Sequence, residues 1–261
     1  MYLLATDETN TQASKNVKFF IYGGLFIPFD KFLEIDLEIG KIRTAAGYKS
    51  HDLFKFDTNL RPNYVSIENF TEAKRKTVDL CLKTGCQFSA LAILHKIINR
   101  QNPDTMYLWA ADHVLDAFNR YLIEKKDYGF CLVDTLPVDS QWHYLREKFV
   151  TGLHKKGDTI VPLERIRLYG STCANSSHIN SAIDIVLGTF RYCVNNPKNL
   201  EIAKVMMANV IRMMWHTRNG ENIYLANKGL ILRPHEIKVE AYKKEYADLV
   251  AHINVLIKDM K

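Results

Sequence analysis

Tyr2-Leu3-Leu4-Ala5-Thr6 and, after a polar run, Phe19-Phe20-Ile21-Tyr22-Gly23-Gly24-Leu25-Phe26-Ile27 open this 261-residue chain, and how these two stretches pair decides the fold. Both have the branched and aromatic composition of pleated, half-buried strands. The polar residues from Asn10 to Lys18 between them make the pair a hairpin. Gly23-Gly24 in mid-strand predicts a bulge or the close approach of another element. Pro28 ends the strand, and Asp30 to Ala46 places Phe32, Leu33, Ile35, Leu37, Ile39 and Ile42 on a largely helical spacing. Residues 47 to 66, with Pro62 and many polar turn formers, read as an irregular surface excursion.

From Ile67 the pattern alternates regularly. A helix to Lys83 precedes a strand from Gln87 to His95, and a helix from Thr105 to Lys125 precedes a strand from Tyr128 to Val133. Next come a helix from Ser140 to His154, a strand from Leu163 to Tyr169, a small-residue turn from Gly170 to Ser177, and a helix from His178 to Val194. Strands separated by helices of this length imply a mostly parallel sheet covered by helices, here preceded by an antiparallel hairpin. The predicted class is therefore α/β with a mixed sheet. The remainder, a Met-rich helix from Val205 to Trp215, a turn around Asn219 to Asn222, a strand near Ile223 to Leu232 and a helix from Glu236, predicts a mostly helical C-terminal extension. We expect one domain over 1–195, with an insertion at about 29–84, and an accessory subdomain over 196–261.

A hydrophobic fraction of 47% over this length supports a substantial core and excludes a disordered chain. The net charge of +6 leans weakly toward a polyanionic partner. Five cysteines without a C-x-x-C pair argue against a disulfide framework and a cysteine zinc site, which fits a reducing compartment. With no basic leader before Asp7 and no apolar run near the roughly 18 residues of a membrane span, the expectation is a soluble, cytoplasmic protein without a membrane partner.

Three carboxylates carry the chemistry. Asp7 follows the first strand, and Asp134 follows Cys131-Leu132-Val133, so both stand outside carboxyl ends of strands, where open α/β sheets bind ligands. Alone, each reads equally as a turn or cap aspartate. Asp184 lies on the last predicted helix of the sheet region, sharing one face with Ser177, Ser181 and Gly188 and flanked by Ile179, Ala182, Ile183, Val186 and Leu187. A carboxylate set in an apolar helix is costly unless it is paired or binds a metal, and a salt bridge is the structural alternative. Gly188 would let that helix approach another element closely.

The Asp-Glu-Thr after the first strand, the Phe-Ile-Tyr-Gly-Gly-Leu-Phe-Ile-Pro partner strand, the Leu-Val-Asp strand end at Asp134 and the helix reading Ser-x-x-Ala-x-Asp-Ile-Val-Leu-Gly together resemble the domain of unknown function 3800 family over about residues 2 to 195. That resemblance implies a ribonuclease-H-like fold and a suspected nuclease. The family's Asp-Glu-Ser-Gly reads Asp7-Glu8-Thr9-Asn10 here, and its glutamine three residues before the helix aspartate is replaced by Ser181, with Asn180 beside it. Lys55 stands where the family tends to carry a lysine.

The resemblance further implies one or two Mg²⁺ or Mn²⁺ ions held by acids against a phosphodiester, hard cations on oxygen ligands. Two ions about 3.5 to 4 Å apart support an in-line displacement. Asp7 would bridge them, Asp134 and Asp184 would each hold one, and Glu8 would complete a shell or orient water. Thr9, Lys55, Asn180 and Ser181 would contact substrate.

Other signals are weaker. The nine histidines include no H-E-x-x-H, and His178 reads as a residue flanking its helix. Core packing or a homodimer contact accounts for the Met-rich helix. Lys74-Arg75-Lys76, Lys155-Lys156 and Arg165/Arg167 could follow a nucleic-acid backbone, the last pair projecting to one side of a strand. The first expectation is a metal-dependent phosphodiesterase acting on RNA or DNA. A hydrolase of small nucleotide or phosphate substrates, or a catalytically silent interaction module of the same fold, are the alternatives.

Overall fold

Nearly continuous apolar runs along the first two strands give each of them two buried faces, so helices must cover both sides of the sheet. The structure, a computed structural model, describes residues 1–9, 17–98, 103–134, 141–155, 157, 159–173, 176–220 and 222–258. Most of the Asn10 to Lys18 loop, the start of the helix expected from Ser140 and part of the turn expected over Gly170 to Ser177 lie outside the described residues.

In chain order the elements are β1 (Tyr2–Thr9), β2 (Phe19–Pro28), α1 (Phe32–Ala45), α2 (Ile67–Lys83), β3 (Gln87–Leu94), α3 (Pro103–Lys125), β4 (Gly129–Val133), α4 (Gln141–Val150), β5 (Leu153–Lys155), β6 (Thr159–Val161), β7 (Ile166–Ser171), α5 (His178–Asn195), α6 (Leu200–Met213), β8 (Thr217–Asn219), β9 (Asn222–Tyr224), β10 (Leu230–Arg233) and α7 (Glu240–Lys258). The main sheet has the order β10-β3-β2-β1-β4-β7. β1, β2 and β3 form an antiparallel meander, whereas β4 runs parallel to β1 and β7 parallel to β4. This is the expected mixed sheet: an antiparallel N-terminal hairpin, then parallel strands, flanked by helices. β5 with β6 and β8 with β9 make two small hairpins. Among the described residues, no helix is long and apolar enough to cross a membrane.

One face of the sheet presents Leu3, Ala5, Ile21, Leu25, Phe88 and Ala90 to a core shared with α1, α2, α5, α6 and α7. The opposite face presents Leu4, Phe20, Tyr22, Phe26 and Leu91 to α3. Gly23 and Gly24 mark close approach and not a bulge, because β2 keeps an unbroken register with both neighbours. A Cβ on Gly23 would fall 2.6 Å from Leu187 Cδ1, and one on Gly24 would fall 2.6 Å from Leu4 Cδ1 and Val114 Cγ1. Two packed layers thus press on the same point of the strand.

Several expectations are corrected. Asp7 lies inside β1, which continues to Thr9 because Asp7, Glu8 and Thr9 pair with Gly23, Tyr22 and Ile21. Residues 47 to 66 are irregular and largely exposed, as expected, but the segment is pinned to the core: Phe54 and Val65 are fully buried, and Phe56 nearly so. The helix expected to reach His154 stops at Val150, since Gly152 takes φ +94°, and His154 belongs to a hairpin. The single strand expected over Ile223 to Leu232 is two, β9 and β10, separated by a turn in which Asn227 has φ +56°. β10 joins the main sheet parallel to β3, so the C-terminal segment supplies a sheet edge as well as α6, α7 and a hairpin.

α2 and α5 pack into the same core on one face of the sheet. Ser66 caps α2 by accepting the Asn69 N–H at 3.1 Å, and Ser177 caps α5 by accepting the Ile179 N–H at 3.1 Å. The α5 cap is in turn fixed by Asp36 on α1, which accepts from the Ser177 hydroxyl at 3.3 Å and the His178 N–H at 3.2 Å. His178, 3.0 Å from an Arg43 guanidinium nitrogen, therefore flanks the helix start as expected.

Candidate metal centre

Ala5 on β1 is level with Leu132 on β4, so the next two residues along carry Asp7 to the level of Asp134. Strand alternation sends Asp7 to the face that Leu3 and Ala5 occupy. One oxygen each from Asp7, Glu8 and Asp134 lies within 4.8 Å of the others. The backbone at this point is fixed by Thr6, whose hydroxyl oxygen accepts the Asp134 N–H at 3.2 Å and lies 2.8 Å from the buried Tyr22 hydroxyl. Asp7 Oδ1 accepts the Glu8 N–H at 2.9 Å.

Asp184 reaches the same place from α5. Its charge acts on Asp7, but its own oxygens are engaged by the strap over residues 54–56. Asp184 Oδ2 accepts the Phe56 N–H at 2.5 Å, and Oδ1 lies 3.5 Å from Lys55 Nζ. The strap can lie this close because residue 188 is glycine: a Cβ there would be 2.3 Å from Phe56 Cγ. The element that Gly188 admits is thus the Lys55-Phe56 strap. Asp184 stands against the Asp7, Glu8 and Asp134 group and outside it, tied to a lysine.

The electrostatics are those of crowded, buried acids. Burial pushes the Asp7 carboxyl well above the usual carboxylate range, and the charges of Asp184, Glu8 and Asp134 add to the rise while Lys55 opposes it. Glu8 is pushed up to about 7 by burial and then by Asp134. Burial also raises Asp184, against the Phe56 N–H and Lys55. Burial pulls the Lys55 amine down, but Asp184, Asp7 and Asp134 outweigh it and hold the amine above its ordinary value. Three oxygen donors at one point, two of them held from ionising freely by burial and then by their neighbours' charge, fit a hard divalent cation, which would replace that repulsion with attraction. A cleft lined by Asp7 and Asp134, though by neither Glu8 nor Asp184, offers about 20 Å³, room for one ion or water.

The other expected residues divide. Lys55, Asn180 and Ser181 line the cleft with Thr6, Phe54 and Thr172. Asn180 is engaged locally, donating to Thr172 Oγ1 at 3.0 Å and to the Cys173 carbonyl at 2.5 Å, and so holds the turn after β7. Thr9 ends β1 opposite Ile21, away from the cleft lining. Sequence reasoning missed Thr6, Tyr22 and Phe56. The alternation of Thr6 with Leu4 was a usable signal for the first, while the other two act through tertiary contacts. Arg165 and Arg167 do share a side, both guanidinium groups lying 4.9 Å from the Tyr128 ring centroid.

No family model and no curated protein matches this chain. Among solved structures, the PCNA:RNase HII complex from Archaeoglobus fulgidus is similar at 9% identity, over 96% of this chain and 89% of that chain, with a TM-score of 0.40. A mutant form of Bst-RNase HIII is similar at 12% identity with a TM-score of 0.35, over 81% of this chain and 62% of that chain. Bst-RNase HIII in complex with Mn²⁺ is similar at 14% identity with a TM-score of 0.34, over the same shares.

Proposed function

We propose that this chain is a metal-dependent phosphodiester hydrolase of the ribonuclease-H-like type, acting on RNA or DNA. The observation that carries the reading is the meeting of Asp7, Glu8 and Asp134, with one oxygen from each inside a 4.8 Å circle beside the carboxyl end of β4. The resemblance to the domain of unknown function 3800 family points the same way, through the residues that form this group. Asp7, Glu8 and Asp134 would hold a Mg²⁺ or Mn²⁺ ion, with Asp184 facing Asp7 as the fourth acid. Once bound, such an ion polarises a phosphoryl oxygen and lowers the pKa of coordinated water.

The chain's own residues do the rest. Thr6, through its hydroxyl and Tyr22, fixes the backbone at Asp134 and so the spacing of the acids. Lys55, which acts electrostatically on Asp184, Asp7 and Asp134, would meet a non-bridging phosphate oxygen. Phe54 and Phe56 anchor the strap that carries it. Asn180 shapes the cleft wall by holding the turn after β7, and Ser181 lines the same wall.

The test is a panel of labelled single- and double-stranded RNA and DNA incubated with Mg²⁺ or Mn²⁺. Cleavage that EDTA and Asp134→Asn both abolish is the expected result. Binding without turnover at every metal concentration would replace this reading with that of an interaction module, and turnover confined to mononucleotides would replace it with a small-phosphate hydrolase.

A further inference from the structure

The basic groups of the sequence do not meet the same fate in the fold. On α2, Arg75 lies 2.7 Å from both Glu72 and Asp79, and Lys76 lies 3.7 Å from Glu72; Lys155 lies 3.4 Å from Asp116. Arg165 and Arg167 differ, because among the described residues neither guanidinium enters an ion pair or donates a hydrogen bond. Asp127, the acid beside Tyr128, is held by the Met1 amino group at 2.8 Å. Each of the two guanidinium carbons lies 4.9 Å from the centroid of the half-exposed Tyr128 ring. A ring packed on a guanidinium restrains it and leaves the N–H groups at its edge unspent. Two such forks on one ring match the oxygens of a phosphate backbone.

Their position relates them to the acids. Ile166 points into the core under α3, so Arg165 and Arg167 turn to the opposite face, which is also that of Leu3, Ala5 and Asp7. On this face β4 and β7 run side by side from the arginines to the acid centre. Leu168 is level with Phe130 and Gly170 with Leu132, and Thr172, one residue beyond β7, lines the acid cleft. β7 is the edge of the sheet, and α4 packs on its other face, where Phe149 meets Tyr169. The route is therefore open: Leu168 is 57% exposed, and Gly170 puts no side chain across it. Along β4, Tyr128 and Asp134 are separated by about 20 Å at 3.3 Å per residue. A strand in duplex geometry advances 3.4 Å per nucleotide, so this distance is about six nucleotides.

We infer that Arg165 and Arg167, held by Tyr128, form a distal subsite that grips the backbone of the substrate strand about six nucleotides from the phosphodiester at the acids. The inference rests on the nuclease reading for what happens at the acids, but the grip itself needs no metal. It makes the preferred substrate a strand long enough to reach both places.

The test is a length series of labelled RNA and DNA, single- and double-stranded, spanning about 4 to 16 nucleotides. In EDTA, binding of the long members should weaken roughly tenfold in the Arg165→Gln, Arg167→Gln double variant, while the shortest bind both proteins alike. The slope of log affinity against log salt should drop by about 1.4–1.8, the value for two lost phosphate contacts. With Mn²⁺, KM for long substrates should rise by the same factor at unchanged kcat. Lys243→Gln with Lys244→Gln removes the same charge from α7, which packs on β3 toward the other end of the sheet, and should change none of these. On the wild type, a long oligonucleotide should protect Arg165 and Arg167 from a dicarbonyl reagent read by mass spectrometry, so the subsite is testable without a variant. A step at about six base pairs in the double-stranded series is expected, whereas a step only in the single-stranded series assigns the grip to an extended strand. Length-dependent binding with these losses but no cleavage supports the subsite and removes the nuclease reading. Cleavage with the same KM and salt slope in both proteins removes the subsite and leaves the nuclease reading standing. Equal losses for the shortest and longest strands, equal losses in the α7 variant, no protection of the arginines, or no length-dependent binding at any salt would also overturn it.

Discussion

Replacing Gly188 with alanine should damage the acid centre without touching any carboxylate. In an ordinary helix interior that change stabilises by about 1 kcal/mol, because glycine is the poorer helix former. Here the new Cβ would lie 2.3 Å from Phe56 Cγ, 2.4 Å from its Cβ and 2.8 Å from its Cδ1. Turning the ring about its Cβ–Cγ bond moves neither of the first two atoms, and the Cβ is fixed by the strap backbone. The shortest contact falls about 1.1 Å below the 3.4 Å at which ordinary packing begins, so the strap must retreat by about that distance. Overpacking of this kind costs about 1–3 kcal/mol. The same retreat lengthens the Phe56 N–H bond to Asp184, a hydrogen bond to a charged group of about 1.5–3 kcal/mol. After the helix-propensity gain, and with that bond lost, the expected net loss is about 1.5–5 kcal/mol in urea unfolding, together with a fall in metal-dependent cleavage. Gly40→Ala on α1 is the control, because its nearest neighbour is the far end of the His178 ring at 3.2 Å. A Gly188→Ala protein more stable than wild type, with full activity, would refute the placement of the strap on α5.

Three further outcomes follow from the same geometry. Glu8 is pushed up to about 7 from 4.5, so between these values the folded chain keeps a proton that the unfolded chain has lost. Metal-free stability should therefore fall as pH rises through that window, by on the order of 3 kcal/mol at most, with Asp7 acting in the same direction. Glu8→Gln or saturating Mn²⁺ should flatten the slope in thermal melts. Lys55→Met removes the ammonium facing the acids, so at neutral pH the metal-free variant should melt lower than wild type and gain more from Mn²⁺; an equal Mn²⁺ gain in both would count against Lys55 as their counter-ion. Thr6→Val leaves the Asp134 N–H and Tyr22 hydroxyl without their shared partner, costing about 1–3 kcal/mol and weakening metal binding, whereas Thr6→Ser should retain both.

What the sequence disclosed and what it hid have separate physical causes. α2 was legible to the residue, because Phe70, Ala73, Thr77 and Cys81 repeat on its buried face and Ser66 caps it. The end of β1 was hidden, since Asp7, Glu8 and Thr9 look like turn formers until the pairing with β2 is known. Gly170 and Ser171 deceived similarly: they read as a turn but end β7, paired with Leu132 and Val133 of β4. In residues 47–66, polar neighbours masked Phe54 and Phe56, which no periodicity marks because the segment is irregular. Asp7, Asp134 and Asp184 were each visible as carboxylates in unusual surroundings. That Glu8 completes the tight group while Asp184 is held by Lys55 and Phe56 depends on contacts across 128 residues, to which local patterns are blind.

The central claim is that Asp7, Glu8 and Asp134 share one cation. Anomalous scattering at the manganese edge from crystals grown with Mn²⁺ tests it directly. A peak within coordination distance of all three carboxylates, lost in Asp7→Asn, is the predicted result; a peak elsewhere, or none at saturating Mn²⁺, would contradict it.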